Sequence, residues 1–452
     1  MRLSGSRSIV AISLLVAVAS PAATRPRYGG TLHMQMGDTL RSLDPADNIP
    51  QNTPAGRNVL SLIFDTLVAL DGRGQTQPAL AISWQSELDG QRWEFTLRPG
   101  VTFSDATQMT PELVSASLRR VNPEWKISPR ETSIIIQLDR PSPDLPAELS
   151  LPRNAIAKAD GLLGSGPFVV SQWDPGKRLV LTARDDYWGG RMFLDSVEIQ
   201  MARGFRDETI AYDLGQAQAI EVPAEQAHHA TEARELHASQ PIELVALLFN
   251  SDIHSPDESK QREALALSID RNLLNQVVLQ RGGEPAGGLL PDWLTGYSFL
   301  FSAKSDLPRA QQLRAEVPRA PAWSFGFDVN DPLARMLAER IVLNANDAGL
   351  RLQIINQGSP DIRLVRISLA SMDARVALQE MARSLGLPAP TFLGNSADDL
   401  YHAENAILQP HRVIPLLHLR TAWAVSKGVK GWDDAPDASW HVPGIWLAAG
   451  KP

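Results

Sequence analysis

The chain has 452 residues, 43% of them hydrophobic and 21% charged, with a formal net charge of -8 and no cysteine. That length exceeds one ordinary hydrophobic core, so two or three lobes are expected, and the composition excludes a disordered or membrane-embedded protein. So acidic a balance argues against nucleic acid as a partner. Without disulfides, stability must come from core burial.

At the N-terminus Arg2 and Arg7 precede an apolar stretch from Ile9 to Ala19, and small residues at Ala17, Ala19, Ser20 and Ala22 suit signal peptidase. About eleven apolar residues fall short of the roughly 20 that a spanning helix needs. Residues 1–22 are therefore expected to be a secretory signal peptide, cut after Ala19 or Ala22. The mature chain would be soluble and periplasmic and, lacking a cysteine to acylate, not a lipoprotein. Loss of Arg2 and Arg7 takes the charge from -8 to about -10.

From Tyr28 onward, short strand-like runs alternate with helical ones, with no low-complexity linker and no repeat. Trp93-Glu94-Phe95-Thr96-Leu97 alternates as a half-buried strand does, and Arg98-Pro99-Gly100 turns the chain. Thr110 caps a helix whose first turn carries Pro111 and Glu112. Leu247-Leu248-Phe249-Asn250 reads as the end of a buried strand, Lys260 to Ile269 as a helix, and Asp270 as the cap of a further helix reaching Gln280. A strand at Phe325 to Val329 precedes a helix capped by Asp331, with Pro332 at its first position and Leu333, Met336, Leu337 and Ile341 on one face. Gly349 ends it and the strand Leu350 to Ile355 follows, a β-α-β unit with a right-handed crossover. Ligands sit at the carboxyl ends of such strands, which places Asn330 and Asp331 at a candidate site. The tail continues with Val413 to His418, Ala424 to Ser426, Gly431-Trp432 and Gly444 to Leu447.

Several short phrases stand in a telling order: Gly29-Gly30-Thr31-Leu32, Ser42-Leu43-Asp44-Pro45, Pro78 to Trp84, Leu97 to Asp105, Gly164-Ser165-Gly166-Pro167-Phe168 and Asp186-Tyr187-Trp188-Gly189-Gly190. In this order they resemble the large periplasmic solute-binding proteins that deliver oligopeptides, dipeptides or nickel to ABC importers. The resemblance implies an α/β, two-lobe periplasmic-binding-protein-like fold of type II, in the large class with an extra subdomain, and a ligand cleft at the hinge. It divides the chain into a first lobe over 24–240 with a small subdomain at about 46–160, a shortened second lobe over 241–404, and a segment 405–452 returning to the first lobe. It further implies capture of a small solute or peptide by a monomer, delivery to an ABC permease and ATPase in the membrane, no cofactor and no enzymatic step.

Candidate ligand-binding residues follow from those positions. Asn48, Gln51 and Asn52 occupy a loop that faces the cleft in relatives, and their amides can both donate and accept. Trp125 and Trp293 lie near pocket-lining segments, where aromatic faces commonly meet solute. Arg420 and Thr421 lie where the family crosses near the pocket, and an arginine there can meet a carboxylate bidentately. Relatives hold the two ends of a peptide with a carboxylate and a basic residue; Asp361, Arg363, Arg366 and Asp373 fall in that stretch, and each also reads as surface or a local ion pair. Glu225, His228, His229, Glu232, Glu235 and His237 form the densest set of metal-capable side chains, and also read as a solvated polar helix.

Enzyme readings lack support: there is no Gly-x-Ser-x-Gly elbow, His-Glu-x-x-His or phosphate loop. Gly164-Ser165-Gly166 resembles a nucleophile turn, but Pro167 follows directly and small residues permit close backbone approach. Two alternatives remain open, a ligand sensor or chaperone-like peptide binder of the same fold and, more remotely, a secreted hydrolase.

Overall fold

The computed structural model describes residues 25–47, 53–158, 162–233, 235–297, 300–318 and 322–448. The expected signal peptide and the candidates Asn48, Gln51 and Asn52 lie outside them.

An eleven-stranded mixed sheet runs through the molecule. Two long strands, Leu236–Phe249 and Val413–Val425, lie antiparallel at its middle and are shared by both halves. At one end Ala422 to Val425 pair with the strand Ala219–Val222, which belongs with Thr31–Gln35 and Ser196–Gln200. At the other end Glu243 to Phe249 pair with Ile362–Ser368. Register shifts fall between Ala238, Pro241 and Glu243. Pro241 has no N–H to give to a ladder, so the break in pairing falls where the chain passes from one lobe to the other.

Each half buries its own core. Leu32, Met34, Phe168, Leu181, Val197 and Trp423 belong to the first, and Leu247, Phe325, Leu337, Ile341, Ile414 and Leu417 to the second. Along the strand Val413–Val425, Ile414, Leu416, Leu417 and Leu419 pack in the second core and Trp423 and Val425 in the first. A four-stranded antiparallel sheet, Ala81–Glu87, Arg92–Leu97, Ser133–Gln137 and Lys126–Pro129 in spatial order, builds the subdomain around Trp93, Phe95 and Phe103. That core draws on residues 67 to 156. The helix Pro54–Ile63, expected inside the subdomain, packs in the first core through Val59, Leu60 and Ile63.

Local readings hold where sequence chemistry is strong. Arg92–Leu97 alternates as expected, with Trp93, Phe95 and Leu97 inward. Thr110 accepts from Leu113 N, and Asp331 from Leu333 N and Ala334 N, as N-caps do. The β-α-β unit is present with parallel strands, although its first strand is Ala322–Gly326 rather than Phe325 to Val329. Met336 departs from the expected face: it is 40% exposed while Leu333, Leu337 and Ile341 are buried, because three residues advance a helix by less than a full turn. The two tail strands expected at Val413 and Ala424 are one continuous strand, and the helix capped by Asp270 ends at Val277.

Candidate functional site

Two of the quoted phrases, Gly164 to Phe168 and Asp186 to Gly190, meet at one internal carboxylate. Asp65 accepts from Tyr187 Oη at 3.0 Å, Trp188 Nε1 at 2.8 Å and Ser165 Oγ at 3.0 Å. Burial pushes its carboxyl up to about 6 despite these three donors. Arg98 covers the Trp188 ring at 4.5 Å. Ser165 is fully buried, and a Cβ on Gly164 would stand 2.1 Å from Ile63 O. The turn is a packing device, as its small residues imply, and offers no exposed nucleophile.

Between the lobes lie several cavities. One of about 400 Å³ is walled by Arg57 and Arg153 from the first-lobe side and by Arg363, Arg366, Glu380 and Arg383 from the second. Glu380 is paired with Arg153 and, at 2.7 Å, with Arg383. Burial lowers the Arg57 guanidinium to about 10, which leaves it protonated at neutral pH, and Asp437 and Glu243 act the other way. This wall presents a surplus of positive charge, suited to a carboxylate or other anionic group.

Across Arg366, which lines both spaces, a second cavity of about 380 Å³ has the opposite character, with Asp38, Glu208, Glu221 and Asp331 in its wall. Arg366 holds Glu243 bidentately at 3.1 and 2.7 Å and Asp331 at 2.8 Å. These acids, Glu243 foremost, raise its affinity for its proton further. Burial raises the Asp38 carboxyl, countered by a hydrogen bond from Thr53. One guanidinium thus separates a basic cavity from an acidic one.

Of the residues expected from sequence to meet solute, Asn330 lies in the wall of the acidic cavity, beside Asp331. Trp125 is instead buried in the subdomain core, 8% exposed. Trp293, partly buried, packs against a second-lobe cluster and gives its Nε1–H to Pro241 O at 2.9 Å. Arg420 is held by Glu284 at 2.7 Å and Ser239 O at 3.1 Å, a tie within the hinge. Thr421 borders a space of about 10 Å³, too small for a solute. Asp361 accepts from Ser324, and Asp373 caps the helix Ala374–Ser384, whereas Arg363 and Arg366 reach the cleft.

Sequence reasoning missed Asp38, Arg57, Glu208 and Glu221. Asp38 follows the end of the strand Thr31–Gln35, where the rule for strand carboxyl ends applies. Arg57 is the one charged residue of the helix Pro54–Ile63, and Glu221 interrupts an apolar strand. Among the described residues no group of three or more His, Asp or Glu is placed to hold a metal ion. His237 instead contacts Asp434 at 3.0 Å.

The fold has close counterparts. The oligopeptide-binding protein AppA of Bacillus subtilis, solved with a nonapeptide, superposes with a TM-score of 0.78 at 16% identity, over 94% of this chain and all of that one. AgaA from Agrobacterium tumefaciens R10, solved with agropinic acid, gives 0.76 at 19% identity, over 93% of this chain and 99% of that one. In sequence, the probable D,D-dipeptide-binding periplasmic protein of Escherichia coli K12 is 23% identical over 387 residues, 78% of this chain and 73% of its own. The nickel-binding periplasmic protein of the same organism is 22% identical over 389 residues, 73% of each chain. Residues 75–375 match the family model described as the middle region of bacterial extracellular solute-binding proteins, family 5, and the chain belongs to that family.

Proposed function

We propose that this protein captures a small solute, a short peptide, in the cleft between its lobes and presents it to an ABC permease and its ATPase in the membrane. It works in the periplasm after removal of residues 1–22 and performs no covalent step. The observation that carries this reading is the basic cavity, whose wall is shared by Arg57 and Arg153 on one side and Arg363, Arg366 and Arg383 on the other. A solute touching both walls stabilises the closed arrangement over an open one, and only such differential contact can shift the equilibrium. Peptide is favoured because its two charged ends match the two cavities that Arg366 separates.

Native mass spectrometry of the protein taken from its own periplasm, followed by release of bound small molecules, tests the solute. A ladder of peptides is the expected result. Small-angle scattering with and without the released material tests closure: identical profiles would sink the binding-and-closing reading and favour a vestigial or sensory role.

A further inference from the structure

The acidic cavity holds a side chain that the fold leaves unsatisfied. Glu208, in the helix Phe205–Asp213, is 2% exposed, and its Oε1 has no hydrogen-bond partner among the described residues. It lines the cavity of about 380 Å³ together with the acids Asp38, Glu221, Glu225, Asp328 and Asp331 and two guanidiniums, Arg203 and Arg366. Arg366 is already committed to Glu243 and Asp331. A buried acceptor without a donor costs free energy, and an apolar residue would pack that helix at no such cost. The missing donor is therefore looked for in what enters the cavity.

We propose that this cavity seats an organic cation, an ammonium or guanidinium group carried by the solute, with Glu208 and Glu221 as its acceptors. This rests on the cleft being the solute site. A metal ion fits less well, since among the described residues no three His, Asp or Glu converge on one point. An ammonium or guanidinium carries several donors that reach acceptors spread over a wall. The position is also separate from Asp361 and Asp373, whose carboxylates are occupied by Ser324 and by a helix N-terminus.

Protonation gives the site a second signature. Burial pushes the Glu208 carboxyl up to about 8 against the pull of Arg203. Burial, with Asp38 and Glu208 nearby, raises Glu221 well above its ordinary value, and Arg366 opposes this. Without a cation Glu208 holds its proton at neutral pH. An entering ammonium keeps its own protons and displaces a carboxyl proton to solvent, so binding releases protons.

Calorimetry on the mature chain with spermidine and with Ala-Lys-Ala and Ala-Gln-Ala, both peptides N-acetylated so that the lysine carries their only ammonium, tests the proposal. A cationic probe is expected to bind about tenfold or more tightly than Ala-Gln-Ala, with proton release seen as a heat that changes with buffer ionisation enthalpy. E208Q and E221Q should narrow that gap while the unliganded melting temperature holds or rises. Were E208Q to unfold early, E221Q and the buffer comparison decide. Spermidine binding alone identifies a free polyamine, and Ala-Lys-Ala alone a cationic peptide. Equal affinity for Ala-Lys-Ala and Ala-Gln-Ala, unchanged in both variants, overturns the cation site and leaves the cleft reading standing. If no probe binds and material released from the native protein leaves scattering unchanged, both fall.

Discussion

Arg375 Nε lies 3.0 and 2.9 Å from the two carboxylate oxygens of Asp144, and this pair clasps the second lobe to the subdomain. Beside it Arg153 pairs with Glu380, and Val376 packs with Ala147 and Leu151 in a small cluster bridging the same gap. The lobes are thus held together by contacts of their own, before any solute is considered. Burial raises the Asp144 carboxyl and the Arg375 guanidinium opposes this.

Removing one side of that clasp should favour the open form. D144N keeps the shape and removes the charge, and a partly buried pair of this kind is worth about 1–2 kcal/mol. The expected outcome is a larger radius of gyration by small-angle scattering and weaker solute binding, with the melting of each lobe little changed. A scattering profile superposable on that of the unmodified protein would show that the clasp does not set closure.

Gly164→Ala should destabilise the first lobe strongly. Its Cβ would meet Ile63 O at 2.1 Å, a backbone atom that cannot swing away, so a cost of about 3 kcal/mol or more is expected in denaturant unfolding. Gly204→Ala, with nothing within 4 Å of the added carbon, is the control. Equal midpoints for the two would contradict the close approach.

Asp65→Asn tests the network that joins the segments around Ser165 and Trp188. The amide retains one good acceptor for three donors, Tyr187, Trp188 and Ser165, and turns a donor toward at least one of them. A loss of about 1–3 kcal/mol is expected. Near-ultraviolet dichroism, which reports the packing of Trp188, should weaken in parallel.

Glu404 gives stability a pH dependence of known sign. It is fully buried, accepts from Leu289 N, Leu290 N and Tyr297 Oη, and burial pushes its carboxyl up to about 7. The folded state therefore holds this proton more tightly than the unfolded chain, where a glutamate titrates near its ordinary 4.5. Its contribution is fully present below about 4.5 and is lost as pH rises through about 7, amounting to about 3 kcal/mol. E404Q should flatten that part of the stability curve between pH 5 and 7 by comparison with the unmodified protein, as read by urea unfolding. An unchanged slope would mean that Glu404 is ionised in the folded state.

Much of the architecture was legible in the chain. Alternation in Trp93 to Leu97, the caps Thr110 and Asp331, and the small residues at 164–166 each encode a local constraint that needs no partner to be read. The order of phrases carried the family and with it the two-lobe fold, because those phrases are the packing around Asp65 and the main sheet. Boundaries were less legible: whether residues 405–419 belong to one lobe or the other depends on which strand Val413–Val425 pairs with, a contact made across most of the chain.

The cleft was decided by tertiary structure. Trp125 and Trp293 have the chemistry of ligand contacts; the fold sets Trp125 in the subdomain core and Trp293 against a second-lobe cluster, and Arg420 pairs with Glu284. Arg57, Arg363 and Arg366 meet in one wall only because the hinge strands bring a first-lobe helix against a second-lobe strand. By itself the sequence determined which residues cap, turn and bury, since those follow from backbone geometry and hydrophobic period. Which charges face one another, and so which solute the cleft can hold, follows from distances between segments far apart in the chain, and electrostatics acts on distance rather than on order.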